Sequence, residues 1–300
     1  MTVTTSGSGG GFGMTLELAT DRLMPGRLVD GRLVLTSRDG GAIRGARVTL
    51  VGTETWRYDT TSTDAQGHTR TETHTAREDL PRIPVAVVGP TSIAAGAREE
   101  VPFQLPVPGL GPATFEGTEL RVDWEVRVNL DVGGFDPKLE LPVRVLQPTA
   151  LLRAGVVDVA QYALWETADA AADGLAGSIA LDPVPLSVGE PFHGTLTLTG
   201  GAPRQVQEVR LELRVTAEST VSGGRQETIT MWSGQLAGSG DFGGAGGAYP
   251  FSGTLDGACL PTVRTPHGRA DATFHVVVAV AWARDPHLVR DVAIASTTEV

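Results

Sequence analysis

Apolar and polar residues alternate with a period of two along much of the chain. Residues 120–130 carry Leu, Val or Trp at every second position, with Arg, Asp, Glu or Asn between them. Residues 209–215 repeat the pattern, and so do residues 270–282, whose second face becomes apolar toward the end. Because successive side chains of a strand point to opposite faces of a sheet, these segments are predicted to be strands with one buried face.

Turn signals separate the predicted strands. The sequence Ser-Arg-Asp-Gly-Gly at 37–41 predicts a hairpin, and Asp-Val-Gly-Gly at 131–134 follows the long strand. The 38 glycines and 19 prolines are spread along the chain, as expected where many short strands are joined by turns. The pattern therefore predicts an all-β protein made of antiparallel sandwiches of the immunoglobulin-like type.

An internal repeat divides the chain into two similar halves. Residues 31–35 read Gly-Arg-Leu-Val-Leu, and residues 194–198 read Gly-Thr-Leu-Thr-Leu. The dipeptide Pro-Phe stands at 102–103 and again at 250–251, each time before a long alternating strand. The same order of elements in both halves indicates duplication of one sandwich.

The repeat sets the expected domain limits. Residues 1–13, polar and rich in glycine, are expected to be a flexible N-terminus, and residues 14–148 the first sandwich. Residues 149–176 are the expected linker, and residues 177–300 the second sandwich. Within the linker, residues 158–173 are rich in alanine, and the sequence leaves open either a short helix or an extended connector.

Charge and cysteine content exclude several classes of function. A net charge of −11 repels phosphate backbones and anionic lipids, which argues against general nucleic-acid binding and a polybasic membrane anchor. The single cysteine, Cys259, permits neither an internal disulfide nor a Cys-rich zinc site and is typical of a reducing compartment. Residues 1–13 have no signal-peptide pattern, and the apolar run 276–283 is too short for a membrane helix. We therefore expect a cytoplasmic protein.

Three patterns associated with chemistry have simpler interpretations. The G-x-G-x-x-G match at 238–243 leads into a predicted strand, whereas dinucleotide binding requires a helix there. His68 and His74 lack a third metal ligand, and Cys259 lacks an assigned base. We accordingly expect no catalytic residue, no metal and no cofactor.

Trp56, Arg57 and Tyr58 stand at the end of a predicted strand, beside a polar stretch that reaches Glu78. Aromatic and arginine side chains next to a mobile loop are typical of binding surfaces, so these three are candidate partner-binding residues. For Trp56 the sequence leaves an alternative open, in which its ring closes the end of the sandwich.

The order of motifs is shared with a known family. Residues 45–52 run into Glu54 and Trp56, residues 101–106 read Val-Pro-Phe-Gln-Leu-Pro, and residues 111–117 lead into the long strand. This order resembles the N-domain of the arrestin superfamily, with threonine at 114 where the family usually has serine. Resemblance to the arrestin C-domain is carried by residues 188–190, 249–251 and 260–262.

The resemblance implies two sandwiches joined by a short hinge and a scaffold or regulatory role, with bacterial sporulation-control proteins nearest in shape. Residues 56–78 lie roughly where the family has a projecting partner-binding loop, which implies that Arg57, Arg70 and Arg77 contact a ligand there.

We expect a non-enzymatic adaptor that binds protein partners through loops or sheet edges, including partners in a peripheral membrane-associated complex. The identity of the partner and the oligomeric state are left open by the sequence. A carbohydrate- or cell-envelope-binding module is the alternative, and it rests on analogy between folds alone.

Overall fold

A computed structural model describes residues 2–134, 136–153, 166–168, 175–200, 204–242, 247–256, 260–280 and 287–298. The contacts divide the chain into two units. The first unit comprises Met1–Trp56, Thr75–Glu116 and Arg121–Leu146. The second comprises Arg57–His74, Gly117–Leu120 and Gln147–Val300. The second unit therefore includes two segments from the first half of the sequence.

The strands of the first half of the chain are β1 (Val3–Gly9), β2 (Phe12–Leu18), β3 (Arg22–Leu23), β4 (Leu28–Ser37), β5 (Gly41–Thr63), β6 (Thr69–Asp79), β7 (Ile83–Val88), β8 (Thr91–Ile93), β9 (Arg98–Pro106), β10 (Phe115–Glu116), β11 (Leu120–Val132) and β12 (Lys138–Val145). One sheet has the order β1-β2-β4-β9, and a second has the order β3-β12-β11-β5-β6, with β10 on β11 and both β7 and β8 on β5. The inward side chains of β2 and β11 are buried, which makes the two sheets a sandwich.

Two expectations for the first half differ from the structure. Residues 3–13, expected to be flexible, form β1 and the start of β2, joined by a turn in which Gly10 and Gly11 both have positive φ. Residues 37–41 do not form a hairpin but connect β4 to β5 in the other sheet. Because β2 and β9 already occupy both edges of β4, β5 has no edge there with which to pair.

The linker and second half contain α1 (Thr149–Arg153), β13 (Glu166–Ala168), β14 (Leu175–Asp182), β15 (Leu186–Ser187), β16 (Pro191–Gly200), β17 (Arg204–Ser219), β18 (Gln226–Ala237), β19 (Gly240–Phe242), β20 (Gly247–Thr254), β21 (Val263–Arg264), β22 (Gly268–Val280), β23 (His287–Val292) and β24 (Ile294–Ala295). Of residues 158–173, only 166–168 lie within the described part, and they are extended as β13. The other residues of this segment, 158–165 and 169–173, lie outside the described part of the chain, and so does the choice between a helix and an extended connector for them.

Four aromatic rings form the centre of the second unit. Phe192 on β16 and Phe251 on β20 come from the three-stranded sheet β14-β16-β20. Trp232 on β18 and Phe274 on β22 come from the larger sheet β13-β23-β22-β17-β18. Their ring centroids lie 5.3–6.4 Å apart, within the range of favourable aromatic pairs. These rings join the two sheets into a sandwich. The predicted fold class, all-β with antiparallel sandwiches, is therefore confirmed.

The repeated sequence motifs contact each other directly in both halves. Gly31 on β4 pairs with Phe103 on β9, and Gly194 on β16 pairs with Phe251 on β20. A Cβ atom at Gly31 would lie 2.6 Å from Phe103 Cε2, and one at Gly194 would lie 2.5 Å from Phe251 Cζ. Each phenylalanine ring therefore covers the glycine of the neighbouring strand, a space that no other residue type leaves free.

We predict that Gly31→Ala and Gly194→Ala each destabilise the protein by about 1–3 kcal/mol, because the added methyl group displaces a buried ring. Gly89→Ala is the matched control, since a Cβ there meets nothing within 4 Å. Urea unfolding of the three variants measures the difference. Equal free energies of unfolding for Gly31→Ala and Gly89→Ala would contradict the predicted role of the glycine.

Candidate interaction site

The outer part of β5, the turn after it and the first part of β6 form a projecting segment, residues 57–74, which we call the hairpin. Its turn is closed by Asp64, whose backbone N–H donates to the His68 carbonyl at 3.0 Å. The Asp64 carboxylate accepts the backbone N–H groups of Gln66 and His68, each at 2.9 Å. Residues 60–73 are all exposed. The hairpin thus presents a long polar surface on an ordered turn.

Backbone hydrogen bonds connect the base of the hairpin to two other segments of the second unit. Arg57 N–H donates to the Glu119 carbonyl at 3.0 Å, and Asp59 N–H donates to the Gly223 carbonyl at 2.7 Å. Arg225 N–H donates in turn to the Arg57 carbonyl at 3.2 Å. Gly223 has a φ of +72°, and a Cβ there would clash with the Asp59 carbonyl oxygen, so this position requires glycine.

Four charged side chains, Arg57, Asp59, Glu119 and Arg225, meet at this base, and we call them the charged cluster. Arg225 Nε donates to Glu119 Oε2 at 2.9 Å, while its Nη1 donates to Asp59 Oδ2 at 3.1 Å. Arg57 Nη1 donates to the other oxygen of Glu119 at 3.3 Å. One guanidinium therefore bridges two carboxylates, which the planar fork of arginine allows and a lysine ammonium does not reproduce.

Glu119 is the buried member of the charged cluster. Its side chain is 8% exposed, against 35% for Arg57 and 36% for Arg225. A buried carboxylate is costly unless it is paired, and two arginines pair this one. Glu227 adds a third acidic group, whose Oε1 accepts the backbone N–H of Glu119 at 3.0 Å and that of Thr118. The four-residue cluster is electrically neutral, so it fixes the hairpin base without an excess of charge.

The environment shifts the pKa values of two cluster residues in opposite directions. A hydrogen bond from the Thr73 hydroxyl at 2.7 Å, together with the bond and charge of Arg225, holds the pKa of Asp59 below its ordinary value. The pKa of Arg225 is raised, most strongly by its hydrogen bond to Glu119 and next by its hydrogen bond to Asp59 and the charge of that carboxylate. Both shifts favour the charged forms, so the ion pairs persist at neutral pH.

One face of the hairpin, which includes Tyr58 and His74, carries aromatic and hydroxyl groups. The rings of Tyr58 and His74 stack with centroids 5.3 Å apart, and the Thr60 hydroxyl lies 2.7 Å from His74 Nε2. Arg70 and Glu72 precede His74 at two-residue intervals on β6 and so lie on the same face. Arg70 Nη2 contacts Glu72 Oε1 at 2.8 Å with its side chain 78% exposed.

The structure brings together some of the predicted partner-binding residues and separates others. Arg57 and Tyr58 lie at the hairpin base and Arg70 on β6. Trp56 belongs to the first unit and is only 8% exposed, which supports the packing alternative for its ring. Arg77 also belongs to the first unit, where its Nη2 donates to the Thr53 hydroxyl at 3.3 Å and it lines an open cleft of about 530 Å³.

Asp59, Glu119 and Arg225 were missed by the sequence analysis. Arg225 lies 166 residues from Asp59 and 106 from Glu119, so no local spacing or repeat connects them. Each of the three also lies in a polar segment, so its immediate neighbours do not distinguish it from other charged residues. Only the fold places them together.

The other candidate motifs lie apart from the hairpin base. In the G-x-G-x-x-G stretch, Gly240–Phe242 forms β19, which pairs with β17, and Gly243 lies outside the described residues, as do Cys259 and Trp282. His68 pairs with Asp64 and not with His74. Within the described ranges, no group of three or more His, Cys, Asp or Glu residues is placed to hold a metal ion. The same ranges contain no helix with the length and apolar character needed to span a bilayer.

Comparison with known proteins agrees with the fold. Residues 16–149 match the family model for "Arrestin (or S-antigen), N-terminal domain". The match supports the arrestin-like resemblance of the first half, and the family is in general one of non-catalytic adaptors or scaffolds that bind protein partners. No curated protein matches the chain.

We predict that Arg225→Lys and Arg225→Ala both accelerate amide hydrogen exchange in residues 57–74, because neither side chain bridges Asp59 and Glu119. Arg38→Ala is the control, since Arg38 is exposed and pairs with its neighbour Asp39. Exchange followed by mass spectrometry reports the hairpin peptides separately. Unchanged exchange in Arg225→Ala would show that the backbone bonds alone hold the hairpin base.

A second prediction concerns pH. Because the folded pKa of Asp59 is lowered, its contribution to stability is complete above the unfolded value of about 4 and is lost as pH falls through the folded value. Asp59→Asn removes this contribution, so its free energy of unfolding should change less between pH 5 and pH 2 than that of the parent protein. Parallel slopes over this range would contradict the prediction.

Proposed function

We propose that the protein is a non-catalytic, cytoplasmic adaptor with a regulatory role of the sporulation- or development-control kind, and that it binds protein partners through the hairpin. The observation that supports this proposal is the contrast between the two ends of the hairpin. Residues 60–73 are exposed without interruption, while the base is held by the charged cluster and by backbone bonds. A loop that is fixed at its base is accessible to a partner and loses little conformational entropy when it binds.

The face of the hairpin that carries Tyr58, Arg70 and His74 is the proposed contact surface. Tyrosine and arginine are enriched among residues that dominate binding energy, and the Tyr58–His74 stack limits the entropy that Tyr58 loses on binding. The exposed pair Arg70–Glu72 offers one charge of each sign to a partner. This surface therefore suits a protein partner of mixed charge better than a polyanion.

The test is affinity capture from a lysate of the host, with the tagged protein and two charge-reversal variants. Arg70→Glu alters the hairpin, and Arg38→Glu is its matched control, because both arginines are exposed and each contacts a nearby carboxylate at 2.8–2.9 Å. We expect a set of proteins captured by the parent and by Arg38→Glu, with binding to Arg70→Glu weakened about tenfold. Identical capture by both variants would contradict binding through the hairpin. An empty capture with glycan binding in a separate array would favour the carbohydrate-binding alternative.

A further inference from the structure

A cleft of about 530 Å³ opens on the second sheet of the first unit, and all the residues that line it belong to that unit. Glu125 on β11 stands opposite Pro142 on β12, and both alternate with buried neighbours, so they lie on the exposed face of the sheet. Thr53 on β5 and Arg77 on β6 continue the lining toward one edge. The volume is within the range of about 300–1,000 Å³ that is typical of ligand sites.

Most charged side chains in this cleft are already paired. The pairs are Arg121 with Asp123 at 2.7 Å, Arg144 with Glu116 at 3.1 Å, and Glu125 with the neighbouring Arg127 at 3.0 Å. Because each of these carboxylates accepts from an arginine, the pairs offer a ligand little net charge. Recognition by charge is therefore left to the two remaining charged residues of the lining, Arg77 and Asp21.

Arg77 presents a guanidinium without a carboxylate. Its Nη2 donates to the hydroxyl of Thr53 at 3.3 Å, and Thr53 is only 3% exposed, so one side of the guanidinium is held in place. Asp79, which shares that hydroxyl, is paired with Arg82. Within the described ranges, Arg77 makes no ion pair. Its other N–H groups can therefore bind the two oxygens of a ligand carboxylate.

Asp21 presents the opposite charge near the other edge of the sheet. This residue directly precedes β3, and its carbonyl accepts the backbone N–H of Arg144 at 2.7 Å, which fixes its position. The side chain of Arg144 donates instead to Glu116. In the part of the chain that the structure describes, the carboxylate of Asp21 has no cationic partner. It therefore attracts an ammonium or guanidinium group of a ligand.

The width of the sheet separates these two charges. The strand order β3-β12-β11-β5-β6 places four interstrand steps between Asp21 and Arg77. At about 4.8 Å a step, the separation is roughly 19 Å. An extended chain advances about 3.3 Å a residue, so roughly six residues span it.

We propose that the cleft binds an extended peptide segment of about six residues, with a carboxylate at the end near Arg77 and a cationic group at the end near Asp21. A free amino acid cannot reach both residues, because its opposite charges are attached to the same carbon atom. A polyanion meets the carboxylate of Asp21 and a centre whose arginines are already paired. The exposed ring of Pro142 offers apolar surface to the middle of the segment. None of these residues belongs to the hairpin, so the cleft is a second binding surface.

The test uses the full chain, immobilised through a C-terminal tag, and libraries of hexapeptides with acetylated and amidated ends. One library has lysine at one end and glutamate at the other, in both orders, with varied residues between them. Matched libraries carry glutamine in place of the lysine, of the glutamate or of both. We expect the retained peptides, identified by mass spectrometry, to favour the doubly charged library about tenfold over each singly charged one. No retention of any library, or equal retention of all four, overturns the proposal.

Charge reversal at each end tests which residues select the peptide. Arg77→Glu should prefer peptides with lysine at both ends, and Asp21→Lys should prefer peptides with glutamate at both ends. A gained preference of this kind cannot result from misfolding. Arg70→Glu is the matched control, because Arg70 is also an exposed arginine of β6 but belongs to the hairpin. It should keep the preference of the parent chain. A reversal variant that gains no new preference, or a control that shifts as Arg77→Glu does, overturns the proposal.

Discussion

A phenylalanine ring lying over the glycine of a neighbouring strand holds the first sheet of each half together. Phe103 covers Gly31 and Phe251 covers Gly194, at equivalent steps of the two strand registers. In the second half this ring also belongs to the aromatic centre that joins the two sheets. Because glycine has no side chain, a large apolar ring can lie flat over the sheet at that position, so one small residue supports the packing around it.

The hairpin depends on a different kind of interaction. Its base is fixed by the charged cluster and by hydrogen bonds to the backbone near Glu119 and Gly223, while residues 60–73 are exposed. Segments of this kind open more readily than a packed core, and their conformation responds to the bonds at their base. The arrangement separates stability, which resides in the sandwich cores, from recognition, which we assign to exposed polar residues.

The alternation of apolar residues was sufficient to predict the strands β11, β17 and β22 and the all-β class, because period-two patterning reports directly which face of a strand is buried. The repeat predicted two similar sandwiches, and the positions of glycine and phenylalanine in it match the pairs observed. Pattern alone could not predict which strands pair. The turn at 37–41 looked like a hairpin turn, although β4 has no edge available for β5.

Pairing and charge placement were decided by tertiary structure. Residues 3–13 have little apolar content, and they become ordered because β2 supplies a complete set of backbone partners, a contribution that side-chain patterning does not record. Local composition and family resemblance predicted Arg57, Tyr58 and Arg70 as partner-binding residues, whereas Arg225 and Glu119 carry no local signal. The sequence by itself determined which face of each strand is buried, because the alternation of apolar and polar residues is a property of neighbours in the chain. The fold alone determined which distant charges meet, because that depends on how the whole chain is arranged.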